Sequence, residues 1–140
     1  MGLKRSRGSH FRAIPNATQT IAAATTFTKL NYNTETIDFR GEYDPTTSRF
    51  TAGSSGVYHF AASLFTAVTN RIIITLYVNG VEVFRGNDNL DTGSGTTRFL
   101  SVPIYLNVGD YVEVYGWSSV AGVALTNSGA LMSFQGVKVG

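Results

Sequence analysis

The chain has 140 residues, 43% of them hydrophobic and 14% charged, with no cysteine and a formal net charge of +2. That length reads as one domain, and the balance is apolar enough to bury a core and too apolar for disorder. It excludes a disulfide framework and thiolate chemistry, and no apolar run approaches a membrane-spanning helix or a secretory h-region.

The charge is unevenly placed. Lys4, Arg5 and Arg7 fall in "MGLKRSRGSH", and without them eight basic residues face nine acidic ones. Residues 1–10 therefore read as a disordered or added leader, and residues 11–140 as the folded domain. The body carries no basic stripe, so nucleic acid is not an expected partner.

From Phe11 onward, short apolar or alternating runs recur with turn chemistry between them. The predicted strands lie at 26–30, 36–39, 49–51, 56–65, 72–78, 81–84, 98–106, 111–117 and 130–139. Between them stand "DPTTSR", "AGSSG", "NG", "GNDNLDTGSGT", "NVGD" and "TNSG". Helical periodicity is missing throughout, so the pattern predicts an antiparallel sandwich or barrel. Asn79-Gly80 separates two strand-like runs by residues that tolerate positive φ, as a type I′ hairpin demands. Asp44-Pro45 predicts a turn.

The stretch "GVYHFAASLF" has Tyr58, Phe60, Ala62 and Leu64 on one parity and Val57, His59, Ala61, Ser63 and Phe65 on the other. Neither parity carries a charge. The last run behaves likewise, with Ala130, Met132 and Phe134 opposite Leu131, Ser133 and Gln135. Strands without a wet face are covered on both sides. The second cover is either another subunit or a loop folded over the sheet.

Catalytic chemistry is hard to assemble. Asp91-Thr92-Gly93-Ser94 spells the aspartic-protease tetrapeptide, which needs two carboxylates sharing a proton at the end of a rigid apolar strand. What precedes Asp91 is Gly86-Asn87-Asp88-Asn89-Leu90, a polar stretch with one apolar residue, so the sequence reads as a surface loop. Asp88, Asn89 and Asp91 offer oxygens to calcium, with Asp88 and Asp91 as the ligand candidates, although calcium asks for six to eight. His10 lies in the leader and His59 in an apolar strand, so no zinc site forms on the usual pattern. No nucleophile elbow, P-loop or dinucleotide fingerprint occurs. Asn16-Ala17-Thr18 is a formal glycosylation sequon. Tyr115 and Trp117 are candidates for stacking on a sugar or for packing in a core or interface. The expectation is no enzyme and no cofactor, calcium apart.

The order of blocks resembles the C1q globular-head domain, of the C1q and tumour-necrosis-factor jelly-roll superfamily, from about Phe11 to Val139. The likeness rests on "FRAIPNATQTI", "TFTKLN", "YDPTTSRFTA" followed by "GVYHF", "LYVNG", "LNVGDYVEV" and the closing "SFQG". The resemblance implies a ten-strand antiparallel jelly roll in two sheets, packed as a homotrimer. It places Val57, Tyr58, His59, Phe60, Phe65, Met132 and Phe134 at the trimer interface. It also implies a non-catalytic recognition head that binds protein or carbohydrate through its loops. The loops 86–97 and 118–129 are the ones expected to do so, with Asn87, Asp88, Asn89, Asp91, Ser118 and Asn127 as contact candidates. The alternative is a structural trimerisation cap without a ligand. With no Gly-x-y stalk, the expected setting is extracellular or on a particle surface, as a bacterial or phage-type member on a spore layer or tail fibre.

Overall fold

The computed structural model describes residues 8–87 and 95–140. In chain order its strands are β1 (His10–Ile14), β2 (Gln19–Ile21), β3 (Thr28–Lys29), β4 (Thr34–Asp38), β5 (Tyr43–Asp44), β6 (Arg49–Thr51) and β7 (Gly56–Thr66). They continue as β8 (Ile72–Val78), β9 (Val81–Arg85), β10 (Thr96–Leu106), β11 (Tyr111–Ser118), β12 (Val123–Leu125) and β13 (Phe134–Lys138). Every pairing is antiparallel. One sheet runs β2-β12-β7-β13-β1-β4 with β10 on the other side of β7; the second runs β5-β6-β11-β8-β9 with β3 on β11. The described residues contain no helix, and the two sheets face each other as the expected all-β jelly-roll sandwich.

Several strands are fragments of what the sequence suggests. Pro15 cannot donate to a ladder and ends β1, so the opening block splits into β1 and β2. The run at 26–30 keeps only two paired residues, opposite Tyr115 and Gly116. The run at 130–139 starts late, because Leu131 and Met132 both donate to the Ser128 carbonyl in a turn. Conversely, the stretch set aside as leader reaches into the fold. His10 pairs with Val137, and the Ser9 carbonyl accepts the Lys138 N–H at 3.0 Å.

The turns obey their chemistry. Asn79 and Gly80 take φ of 53° and 79°, the positive pair of a type I′ hairpin. The Asn79 side chain accepts from the Tyr111 N–H and donates to Asp110 Oδ1, both at 3.0 Å, which ties this hairpin to the next turn. That bond, with the Asn107 N–H on Oδ2, holds the Asp110 carboxyl below the usual carboxylate range. The turn after Asp44 is closed by its own side chain, which accepts from the Thr46 N–H and hydroxyl.

The core is aromatic at its centre. Phe11 stacks on Tyr43 and Phe50 and meets Phe134 edge-on, all at 4.9 Å between ring centres. Tyr32 is fully buried; its hydroxyl donates to the Ser63 carbonyl, and burial drives the phenol well above its usual range. The Tyr43 hydroxyl donates in turn to the Tyr32 carbonyl, so neither buried phenol is left unsatisfied. Gly136 is what lets β13 approach this cluster. A Cβ there would sit 2.7 Å from Phe11 Cε1 and Phe60 Cδ1, closer than carbon atoms pack.

The outward side of the second sheet is solvated and internally satisfied. The Glu113 side chain, 4% exposed, takes Lys29 Nζ and Arg49 Nε at 3.3 Å each, while Glu82 takes Arg85 Nε at 2.8 Å. Guanidinium groups also cover ring faces there: Arg49 over Tyr111 at 3.9 Å, Arg71 over Trp117 and Arg85 over Phe27 at 5.4 Å each.

Two outcomes are expected. Gly136→Ala overpacks the aromatic centre and lowers unfolding free energy by about 1–3 kcal/mol, read as a lower thermal midpoint by circular dichroism. Glu113→Ala releases two cations that are only part-buried and free to turn to water, so its cost is smaller, about 1–2 kcal/mol. That loss should appear as a lower urea midpoint with an unchanged slope.

Candidate assembly face and loop ends

β7 is the middle of the larger sheet, paired along its whole length with β10 and from Tyr58 to Ala62 with β13. Its residues alternate strictly, with Tyr58, Phe60, Ala62 and Leu64 buried and Val57, His59, Ala61, Ser63 and Phe65 half-buried. The register extends that division sideways. Leu100 and Arg98 on β10, Phe134 and Gly136 on β13, and Phe11 and Ala13 on β1 share the inward side. Arg98 is wholly buried there and donates to the Ile72 carbonyl at 2.8 Å and the Thr97 carbonyl at 3.0 Å.

This corrects part of the expected interface. Tyr58, Phe60, Met132 and Phe134 are at most 1% exposed in a single copy: Tyr58 and Phe60 meet Phe50, Phe134 meets Phe11, and Met132 belongs to the same buried core, so none of them faces out. Val57, His59 and Phe65 stand on the opposite parity and do face out. The sequence reading put both parities of β7 at the interface, and only one of them faces out.

The outward face is apolar and nearly chargeless. Beside Val57, Ala61 and Phe65 lie Phe99, Pro103 and Tyr105 on β10, with Phe99 59% and Tyr105 62% exposed. Val137 on β13 adds to it. β1, β7, β10 and β13 contain no Asp or Glu at all, and Arg12 is the one outward cation on them, held by Gly129 O at 2.9 Å and Thr36 Oγ1 at 3.5 Å. His59 Nε2 lies 2.9 Å from Ser101 Oγ. A shallow pocket on this face is lined by His10, His59, Ala61, Gln135, Gly136 and Val137.

The loop candidates divide. Asp88, Asn89 and Asp91, with the Asp-Thr-Gly stretch and the calcium candidates, lie outside the described residues. Asn87 is a stitch: its Oδ1 accepts the Phe99 N–H at 2.8 Å, and its own N–H donates to the Phe99 carbonyl at 3.3 Å. Ser118 is fully buried at the end of β11; its hydroxyl accepts the Val120 N–H and its carbonyl accepts the Thr25 N–H. It is unavailable to a ligand. The stretch 118–129 is not one open loop, because β12 pairs with β2 and buries Val123 and Leu125. Asn127 is exposed. Tyr115 is stacked on Tyr77 at 4.0 Å and Trp117 lies under Arg71, so the ring faces a sugar would use are taken. Burial, with Glu113 second, holds the Tyr115 phenol above its usual range. Among the described residues no three His, Cys, Asp or Glu side chains converge as metal ligands, and no helix is long and apolar enough to cross a membrane.

Comparisons with known proteins agree with this architecture. The globular domain of zebrafish complement 1qA superposes with a TM-score of 0.73 at 16% identity, covering 96% of this chain and 98% of that one. Murine APRIL gives 0.72 at 13% identity over 95% and 100%. Eiger TNF from S. frugiperda gives 0.66 at 11% identity over 96% and 94%. The chain is also 32% identical over 127 residues to the phage-like element PBSX protein XkdV of Bacillus subtilis strain 168, covering 80% of this chain and 18% of that protein's length. The C1q domain family matches residues 11–137, nearly the whole described fold. Members of that family are homotrimers and generally non-enzymatic recognition or structural heads. The chain belongs to the C1q domain family.

Proposed function

We propose that three copies of this domain close around the outward face of the larger sheet, and that the trimer is a non-catalytic recognition head on a particle surface. The observation that carries the reading is that acid-free face, with Phe99 and Tyr105 more than half exposed beside Val57, Phe65 and Val137. Burying it between copies removes apolar area from water at about 25 cal/mol per Å² and desolvates almost no charge. The second sheet offers no such face, since its outward charges and rings already satisfy one another. The family supports three as the copy number, and the phage-element relative supports a particle setting. Recognition would work by avidity: three identical sets of loops on one rigid body raise apparent affinity without any new contact.

A purely structural cap is favoured by one observation. Ser118, Asn87 and much of 118–129 are bonded into the fold, which leaves fewer free loop groups for a ligand. A glycan and surface-protein array separates the two readings: binding that survives dilution of the trimer supports recognition, and a blank array from folded trimer supports the cap.

Light scattering on a sizing column tests the assembly itself. The expected mass is three times the 15.1 kDa of one chain, and Phe99→Arg with Tyr105→Asp should reduce it to one while circular dichroism stays unchanged. A wild-type particle of single-chain mass at tens of micromolar would overturn the proposal.

A further inference from the structure

We propose that the seam between copies is a pH-sensitive joint, held when His10 and His59 are neutral and loosened when they gain protons in mild acid. The inference rests on the assembly reading above and adds a regulation to it. His10 and His59 stand directly opposite Val137 from its two sides, one on β1 and one on β7, and line the same outward pocket. They are thus two imidazoles per copy on the surface that association would cover.

The groups that face them decide the sign. β7, β10 and β13 present Ala61, Ser101, Pro103, Gln135 and Val137, none of them acidic, and β1 adds the cation Arg12. Tyr105 is the one outward phenol, two positions along β10 from Pro103. On β4, the Asp38 carboxylate is turned to the Glu42 and Tyr43 amides, and Glu35 is engaged with Asp38. Gly140, the last residue, accepts the Val57 N–H through its oxygen at 2.7 Å beyond the strand's end, and Lys138 Nζ donates to Ser54 Oγ at 3.1 Å. Among the described residues His59 bonds the Ser101 hydroxyl, which serves a neutral or a charged ring equally well by rotating its proton.

Among the described residues β1, β7, β10 and β13 offer a covered imidazolium no Asp or Glu, and Arg12 adds a fixed positive charge to the same face, whereas in a separated copy the ring faces water. Burying an unpaired charge is far costlier than burying a neutral, hydrogen-bonded ring. The assembled state therefore binds fewer protons than the separated copies, and proton uptake by the two rings favours separation.

Subunit exchange between two differently labelled preparations of the wild-type protein measures this directly, with the sizing-column mass followed in parallel. Exchange should quicken by about tenfold or more between pH 7.5 and pH 5.5, and the double variant His10→Gln, His59→Gln should exchange at one rate at both pH values. His59→Gln alone should retain part of the response, and circular dichroism checks that each variant is folded. A wild-type trimer that exchanges equally fast at both pH values, or a double variant as pH-sensitive as wild type, overturns the joint and leaves the assembly standing. Single-chain mass at pH 7.5 overturns the assembly reading instead.

Discussion

β7 carries no charge on either side, and the rest of the molecule is arranged around that constraint. Its inward parity supplies Tyr58, Phe60 and Leu64 to the core, and its outward parity supplies Val57, Ala61 and Phe65 to a face without acid. A register slip of one residue against β10 or β13 would exchange the two sets and drive Tyr58 and Phe60 into solvent. Register is pinned at both ends. The Tyr58 hydroxyl donates to the Ser54 carbonyl at 2.7 Å, and the Thr66 hydroxyl donates to the Ala124 carbonyl at 2.7 Å. Gly136 then admits β13 against the Phe11 and Phe60 rings, so the aromatic core and the placement of the outward face depend on the same close approach.

The two outer faces of the sandwich solve opposite problems. On the second sheet, every large ring has a partner within the chain: Tyr77 lies on Tyr115, Tyr111 under Arg49 and Trp117 under Arg71. Its buried carboxylate, Glu113, has two cations. That face is complete in one copy and can stay in water. On the larger sheet, Phe99 and Tyr105 have no such covering charges among the described residues, and the polar groups described there are mostly neutral. An extended apolar patch with few charges marks an interaction surface, and in the proposed assembly its occupant is the same face of a neighbouring copy.

Much of the fold was legible because period-2 alternation and turn chemistry are local. Asn79-Gly80 specifies its hairpin through backbone conformations few other residues accept, and the runs at 49–51 and 72–78 became β6 and β8 unchanged. Which parity of β7 faces inward was not legible. Alternation defines two faces, but their assignment depends on where Phe11, Phe50 and Phe134 arrive from distant parts of the chain. That is why Tyr58, Phe60, Met132 and Phe134 were expected at an interface and are found in the core. β12 was missed for a related reason. Val-Ala-Leu is too short to announce a strand, and it becomes one because β2 and the end of β7 pair with it. Ser118 and Asn87 look like ligand-facing polar residues in a string of letters; only tertiary hydrogen bonds reveal that they fasten strand ends.

How such a surface associates is constrained by its edge as much as by its face. β10 flanks β7 at the margin of the larger sheet and is long enough to invite pairing with a foreign strand, a route to open-ended aggregation. Pro103 stands within it and has no N–H to offer, while Asn87 occupies both backbone groups of Phe99. The opposite sheet blunts its own β9 edge with a register shift opposite Leu76 and Tyr77. Growth by adding strands is thereby discouraged along β10 and β9, whereas the Phe99 and Tyr105 face presents exposed side chains. Face packing of identical, twisted sheets about a rotation axis closes on itself after a few copies. The sequence thus disfavours strand addition along β10 and β9 by what it withholds there, and it leaves Arg12, bonded to Gly129 and Thr36, as the one cation on the outward face.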